Sequence, residues 1–323
     1  MEDVDRQRLM AKVARLYHNS GLRQVEIADR LRLSQTRVSR LLQQAQDQGI
    51  VRTVVVPLIG LNAEIEEELE KRYELAEVHV VNAVADDEAE LTVELGEAAA
   101  SILANMPVDV PVVGVTSWSR TLRHMVESLR PIRTGTTTVV EMLGDLGPPE
   151  QQHEAARATQ RLASLAGATP VFLRTPGVVS TPQVREALLT HNAYARAALG
   201  LLDALDLALV GVGTCEVVPP LQAGNNFFSL EQLRDVRAAG AVGQICLRFL
   251  DAQGEPVATD LDDLVTGVTL NQLKSAKRRW IVAGGPSKYA AIRAAVVGGW
   301  ADTFVTDAAT ARWLLSPAAA GAS

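Results

Sequence analysis

From about residue 76 the chain alternates short apolar runs with amphipathic helical stretches, and no other feature restricts its fold so strongly. The runs are Val78–Val81, Val110–Val115, Thr137–Leu143, Pro170–Leu173, Leu207–Val212, Ala241–Leu247, Trp280–Ala283 and Thr303–Val305. Helical patterns lie between them, such as the stripe of Leu122, Met125, Val126 and Leu129. A strand that is apolar throughout must be covered on both faces, and helices placed between such strands supply that cover. The expected fold class is α/β, with a mostly parallel, doubly wound sheet. Sheets of this kind bind ligands beyond the carboxyl ends of their strands, where the strand order reverses.

The residues before the sheet obey a different period. Read at 100° per residue from Ser34, positions Val38, Leu41, Leu42 and Ala45 fall on one stripe, with Thr36, Arg40 and Gln43 opposite. Ser34 is the expected N-cap, and Arg37 three residues on cannot close a capping box. Upstream, Gln24–Leu31 reads as a short helix with Ile27, Ala28 and Leu31 inward. Arg8–Tyr17 reads as another with Leu9, Val13 and Leu16 inward, and Gly21 separates the two. A short helix, a short turn and a polar-faced helix form a helix-turn-helix, whose last helix enters the major groove. The groove is read well by guanidinium and amide groups. Gln35, Thr36, Ser39 and Arg40 are the expected base-edge contacts, and Arg37, Gln24 and Arg23 the expected phosphate contacts, with Ser34 at the helix start completing the set. The alternative is a solvated face on a structural three-helix unit, but such faces favour Glu and Lys over Ser, Thr, Gln and Arg. One misfit is Arg32, in a turn that commonly takes Gly; a side chain held at positive φ there costs about 1 kcal/mol. Gly49-Ile50 followed by Val51–Val56 reads as a strand able to form a small wing.

Charge divides along the same line. Residues 1–52 carry ten Lys/Arg and six Asp/Glu, a net +4, whereas the remaining 271 residues carry −11 within an overall −7. A basic small domain on an acidic large one points to an anionic partner for the first alone. The boundaries expected are a DNA-binding domain over 1–56, a linker helix over 57–75, an effector-binding α/β domain over 76–316 and a disordered tail over 317–323. In the linker, Pro57–Gly60 breaks the preceding strand, and Ile65, Leu69 and Arg72/Tyr73 share a face; Glu66-Glu67-Glu68 is either a solvated face or a shield against non-specific DNA contact. Whether this helix also pairs subunits is open at this level.

Other classes are excluded. No stretch approaches 18 uninterrupted apolar residues, and the start MEDVDRQRLM lacks an apolar signal core, so neither a membrane span nor export is expected and the setting is cytoplasmic. Two cysteines, Cys215 and Cys246, and five histidines without ligand spacing leave no disulfide framework and no metal site. "GVGTCE" lacks the full dinucleotide fingerprint, so no nicotinamide cofactor is expected, and "GVTSW" is not a nucleophile elbow.

Several strand ends carry suggestive chemistry. After Val115, the hydroxyls of Thr116, Ser117, Ser119 and Thr121 stand beside the backbone amides of a helix start near Arg120, a natural seat for phosphate. A second strand ends in Gly284-Gly285-Pro286-Ser287-Lys288, where the glycines allow close backbone approach and Lys288 offers a point charge. A third ends in Gly211, Gly213 and Thr214, and a fourth in Thr306 and Asp307. Each of these is also ordinary turn or cap chemistry, and Asp307 reads mainly as a cap.

Taken in order, "SGLRQVEIADRLRLSQTRVSRLLQQAQDQGIV", "GVTSWSRTL", "DLALVGVGT", "GAVGQICLRFLDAQGEPV" and "VAGGPSKYAAIRAAVVGGWADTFVTDAATARWLL" resemble the SorC family of bacterial sugar-responsive transcriptional regulators over nearly the whole chain. The resemblance implies a helix-turn-helix joined to a domain similar to sugar-phosphate isomerases and glucosamine-phosphate deaminases. It also implies a phosphorylated sugar as effector, and a dimer or tetramer acting on operator DNA. By position, Trp118-Ser119-Arg120-Thr121 would be the main phosphate cradle, Lys288 beside Gly285 a second contact, and Gly213-Thr214 the border of the same crevice. Two positions depart from the family: Ser119 stands where Gly is usual after the tryptophan, and Gln244 where an acid is usual in the GAVG motif, so a different ligand is open. A rival reading is a sugar-phosphate isomerase or deaminase that acquired a DNA-binding domain; its base could not be Gln244, leaving Asp260 or Asp307 if they reach the crevice.

Overall fold

The computed structural model describes residues 2–51, 62–85, 87–106, 109–133, 135–216, 221 and 224–320. The chain divides into two compact units, Met1–Val56 and Pro57–Ser323.

In the first unit, helices α1 (Glu2–His18), α2 (Gln24–Leu31) and α3 (Gln35–Asp47) enclose one core. Its buried members are Met10, Val13, Ala14, Ile27, Ala28, Val38, Leu41, Leu42 and Ala45, with Leu9, Leu16, Leu31 and Leu33 partly buried against them. Helix α1 starts six residues before the apolar period does. Arg32 is left-handed, at φ 54° and ψ 46°. The Leu33 amide then returns to Ala28 O at 2.9 Å, so the strained residue is held by a closing hydrogen bond and by partial burial of Leu33. Val51 donates to Ala45 O at 2.9 Å. The expected wing beyond it, and the Pro57–Gly60 break, lie outside the described residues.

Among the described residues the second unit has nine strands: β1 (Glu77–Val81), β2 (Val112–Val115), β3 (Thr138–Glu141), β4 (Thr169–Val171), β5 (Leu207–Val210), β6 (Gly243–Ile245), β7 (Arg248–Leu250), β8 (Arg279–Val282) and β9 (Thr303–Asp307). Seven form one parallel sheet in the order β1-β9-β8-β5-β2-β3-β4. Its helices are α4 (Ala63–Tyr73), α5 (Glu88–Ala104), α6 (Arg120–Ser128), α7 (Pro149–Ala166), α8 (Pro182–His191), α9 (Ala193–Leu201), α10 (Leu230–Ala238), α11 (Leu270–Ser275), α12 (Tyr289–Val297), α13 (Ala308–Leu315) and α14 (Pro317–Ala320). Side chains alternate across the sheet as the pleat requires. Leu207, Leu209, Trp280, Val282 and Val305 join the core under α5, α6 and α7, while Ala208, Val210, Ile281 and Phe304 join the opposite core with α4, α9, α12 and α13.

Three expectations need correction. The run Ala241–Leu247 is not a strand of the parallel sheet. Only Gly243–Ile245 is extended, and it pairs antiparallel with β7 through a two-residue turn, Cys246 and Leu247, both at positive φ. A primed turn of that kind suits the twist of a hairpin, although neither residue is the glycine that would advertise it. Glu66 is not simply a solvated charge: α4 lies along the edge strand β1, and Glu66 and Glu70 accept the amides of Val80 and Val78 at 2.8 and 2.9 Å. Leu69 is fully buried, and Arg72 and Tyr73 donate to Leu314 O at 3.2 and 2.8 Å, so this helix belongs to the second unit. Finally, the tail expected to be disordered includes the helical turn α14 with Ala319 buried; residues 321–323 lie outside the described ones.

Helices α5 and α6 meet at Gly96. A Cβ there would lie 2.7 Å from Met125 N and 2.9 Å from Thr121 O, both backbone atoms that cannot rotate away. Gly96→Ala is expected to destabilise the protein by about 1–2 kcal/mol, overpacking outweighing the better helix propensity of Ala. A urea midpoint equal to or above that of the parent would contradict this close-approach account.

Candidate functional site

The strand order places a reversal of winding between β2 and β5. The chain moves outward from β2 through β3 to β4, then returns to the other side of β2 and winds through β5, β8 and β9. The loops after β2 and β5 leave the carboxyl end of the sheet at this reversal, the place where folds of this kind bind ligands. Thr116, just after β2, spans it: its amide and hydroxyl both donate to Leu209 O on β5, at 3.1 and 3.3 Å, and its hydroxyl accepts the Gly211 amide at 3.4 Å. Ser119 caps α6 by accepting the Leu122 amide at 3.4 Å. Gly211 is required opposite it, since a Cβ there would lie 2.6 Å from Ser119 Oγ. The first turn of α6 leaves the Arg120 and Thr121 amides as donors without intrahelical acceptors. The Arg120 side chain is exposed, Thr121 is buried, and half-buried Trp118 packs on a third core formed by residues beyond the strand ends, including Leu143, Val178, Phe228 and Phe249.

Ser117 faces inward. Its hydroxyl lies 2.6 Å from that of Thr159, which donates to Glu141 Oε1 at 3.1 Å. Glu141 also accepts the Leu173 amide at 2.9 Å and Arg174 at 3.0 Å, and Arg174 reaches Asp145 at 2.5 Å. Burial raises the carboxyl pKa of both Glu141 and Asp145, and the Arg174 guanidinium opposes the rise. This relay was not legible in advance, because its members come from β3, α7 and the loop after β4.

Gly213 and Gln244 exchange backbone hydrogen bonds at 3.0 and 2.9 Å, which ties the β6–β7 hairpin to the loop after β5. Gln244 Oε1 accepts the Leu247 amide at 2.8 Å, closing the hairpin turn, and its Nε2 faces Gly213, where a Cβ would come within 2.1 Å. Thr214 is half-buried beside them.

The corner after β8 holds Gly285 at φ 97°, and its amide donates to Asp307 Oδ2 at 3.1 Å and Thr310 Oγ1 at 3.0 Å. Asp307 also accepts the amides of Ala309 and Thr310 and the Thr310 hydroxyl, so it serves as the α13 cap with both oxygens engaged. Asp260 is exposed on a short 3₁₀ turn. Lys288 is half-buried; desolvation lowers its pKa, Arg120 lowers it further and Glu88 opposes. Arg120 and Lys288 stand in the first turns after β2 and β8. Burial pushes the Cys215 thiol up to about 11 and the Cys246 thiol up to about 12, which leaves neither as a thiolate nucleophile at neutral pH. Among the described residues no three His, Cys, Asp or Glu side chains converge as metal ligands, and no helix is long and apolar enough to cross a membrane.

In the first unit, Arg23, Ser34, Gln35, Thr36, Arg37, Ser39 and Arg40 are exposed, and Gln24 is half-buried. Ser34 Oγ accepts the Arg37 amide at 3.3 Å, and the Arg23 amide donates to Glu26 Oε2 at 2.7 Å, so each helix of the pair has its start secured. Gln43 is turned to Asp47 at 3.0 Å and Gln44 accepts from Arg6 at 3.1 Å.

A family model described as "Putative sugar-binding domain" matches residues 59–316, and one described as "Winged helix-turn-helix DNA-binding" matches residues 14–52. The chain is 30% identical over 315 residues to the deoxyribonucleoside regulator of Bacillus subtilis (strain 168), covering 97% of this chain and 99% of that protein. It is 28% identical over 321 residues to the sorbitol operon regulator of Klebsiella pneumoniae, covering 98% and 100%. The crystal structure of that full-length regulator, SorC, superposes with a TM-score of 0.76 at 25% identity, covering 96% of this chain and 98% of the other.

The buried relay offers a direct test. Thr159→Val removes the hydroxyl between Ser117 and Glu141 and should cost about 1–3 kcal/mol, because buried Ser117 loses its partner and Glu141 one of its donors. Urea denaturation of the variant measures it; an unchanged midpoint would mean that the relay contributes nothing.

Proposed function

This chain belongs to the SorC family of sugar-responsive transcriptional regulators, and on that premise we propose that its effector is a small phosphorylated sugar seated at the β2–β5 reversal. The observation that carries this is the start of α6 directly after β2, where the Arg120 and Thr121 amides lack intrahelical acceptors behind the Ser119 cap, together with the glycine corner after β8 that holds Lys288. Burial lowers the Lys288 pKa, and an anion seated there favours its charged form. The Arg120 and Thr121 amides and the Trp118-Ser119 turn cradle the phosphate, while Thr116 and Ser117 brace that loop from behind. Gly213, Thr214, the Gln244 amide nitrogen and the Gly285 corner border the sugar.

The regulator reading is favoured over an enzyme by the state of its candidate bases. Asp307 is saturated with donors, and Asp260 stands exposed to water on a short 3₁₀ turn. In the first unit, Gln35, Thr36, Ser39 and Arg40 read base edges, and Arg23, Gln24 and Arg37 hold phosphates, with Ser34 fixing the first turn of α3. The protein acts as a homodimer or homotetramer on operator half-sites about 10 base pairs, or a multiple, apart. The effector works by binding two subunit arrangements with different affinity.

Two substitutions separate the parts. Arg40→Ala should weaken operator binding by about 1–3 kcal/mol and leave effector binding unchanged. Lys288→Ala should abolish the thermal stabilisation given by phosphorylated sugars and leave operator affinity unchanged. Gel-shift titration and melting curves, run on both variants with a panel of pentose and hexose phosphates, report each property. Loss of operator binding in Lys288→Ala, or turnover of any panel member at ordinary enzymatic rates, would defeat this reading.

A further inference from the structure

Ser287 presents two donors from the corner after β8, and both are taken by one carboxylate. Its amide donates to Glu88 Oε1 at 2.9 Å and its hydroxyl to Glu88 Oε2 at 2.7 Å, across 199 residues of sequence. Glu88 opens α5, yet that helix is already capped: Asp87 Oδ1 accepts the amides of Ala89 and Glu90 at 2.8 Å each. Starting the helix therefore does not explain the reach of Glu88 to Ser287. An exposed side chain gives up rotamer freedom when it is fixed this way. What it finds is the donor set of an oxyanion seat, namely a backbone amide, a hydroxyl and, one residue on, the Lys288 ammonium within its field. A Cβ at Gly285 would lie 3.2 Å from Glu88 Oε1, so the glycine corner lets the carboxylate approach.

We propose that Glu88 is a built-in competitor for the effector's anionic group: carboxylate and phosphate take the same Ser287 donors beside Lys288, so that binding one releases the other. The proposal rests on the reading that Lys288 holds the effector's phosphate. Competition of this kind makes the corner selective. A phosphomonoester brings between one and two negative charges to Arg120 and Lys288 and can displace a single carboxylate. An uncharged sugar has no means to do so.

The test is calorimetric titration of the full-length protein, its Glu88→Gln and Glu88→Ala variants and its Lys288→Ala variant with inorganic phosphate, with glucose as the uncharged control. Removing the competing charge should tighten phosphate binding on the order of three- to tenfold in both Glu88 variants, the range of a partly screened charge, and leave glucose unaffected. Circular dichroism checks that each variant is folded. Phosphate affinity that falls in Lys288→Ala but is equal or weaker in both Glu88 variants overturns the competitor alone, and marks Glu88 as a latch or a ligand contact. Phosphate affinity indifferent to Lys288→Ala, or no phosphate binding by any of the proteins, overturns the effector seat and the competitor together.

Discussion

Parallel strands that wind away from one another in opposite directions cannot have a helix laid over the gap between their carboxyl ends. In this molecule that gap lies between β2 and β5, and the organisation of the second unit follows from it. The two strands are held together at the gap by Thr116, whose hydroxyl links Leu209 and Gly211. The loops that leave them carry the Ser119 cap on one side and the Gly213–Gln244 bridge on the other. Residues outside the parallel sheet then build an apolar cluster of their own, against which Trp118 packs.

Electrostatics divides the work between the units. The basic residues of the first are exposed on α3 and at the start of α2, where charge is inexpensive to solvate and available to a polyanion. In the second, Lys288 is half-buried, and removal from water lowers its pKa. Glu88, the first residue of α5, holds the amide and the hydroxyl of Ser287, next to Lys288 in the turn after β8. The Glu141–Arg174–Asp145 network is a separate solution to the same difficulty, carboxyl groups taken out of water and answered by one guanidinium.

What the sequence disclosed depended on the range of the signal. Local signals were read well: the α3 stripe of Val38, Leu41, Leu42 and Ala45, the Ser34 cap, the left-handed Arg32 and the Asp307 cap all stand in the structure as their neighbours implied. Seven of the eight apolar runs became strands of the parallel sheet, because apolar content along a whole strand is itself the requirement for burial on both faces. The failures came from partners distant in sequence. Glu66 reads as solvated unless β1 is laid beside it, and the hairpin turn that engages the Gln244 carbonyl oxygen has no glycine to announce it. Glu88 carried no local mark at all.

The carboxylates of α4 along β1 have a bearing on how the protein behaves in bulk. The outward amides of Val78 and Val80 are satisfied within the chain, so that margin of the sheet offers no template on which a further strand could grow. Any contact made along β1 therefore falls to side chains, because the backbone donors that a further strand would need are already engaged by Glu66 and Glu70.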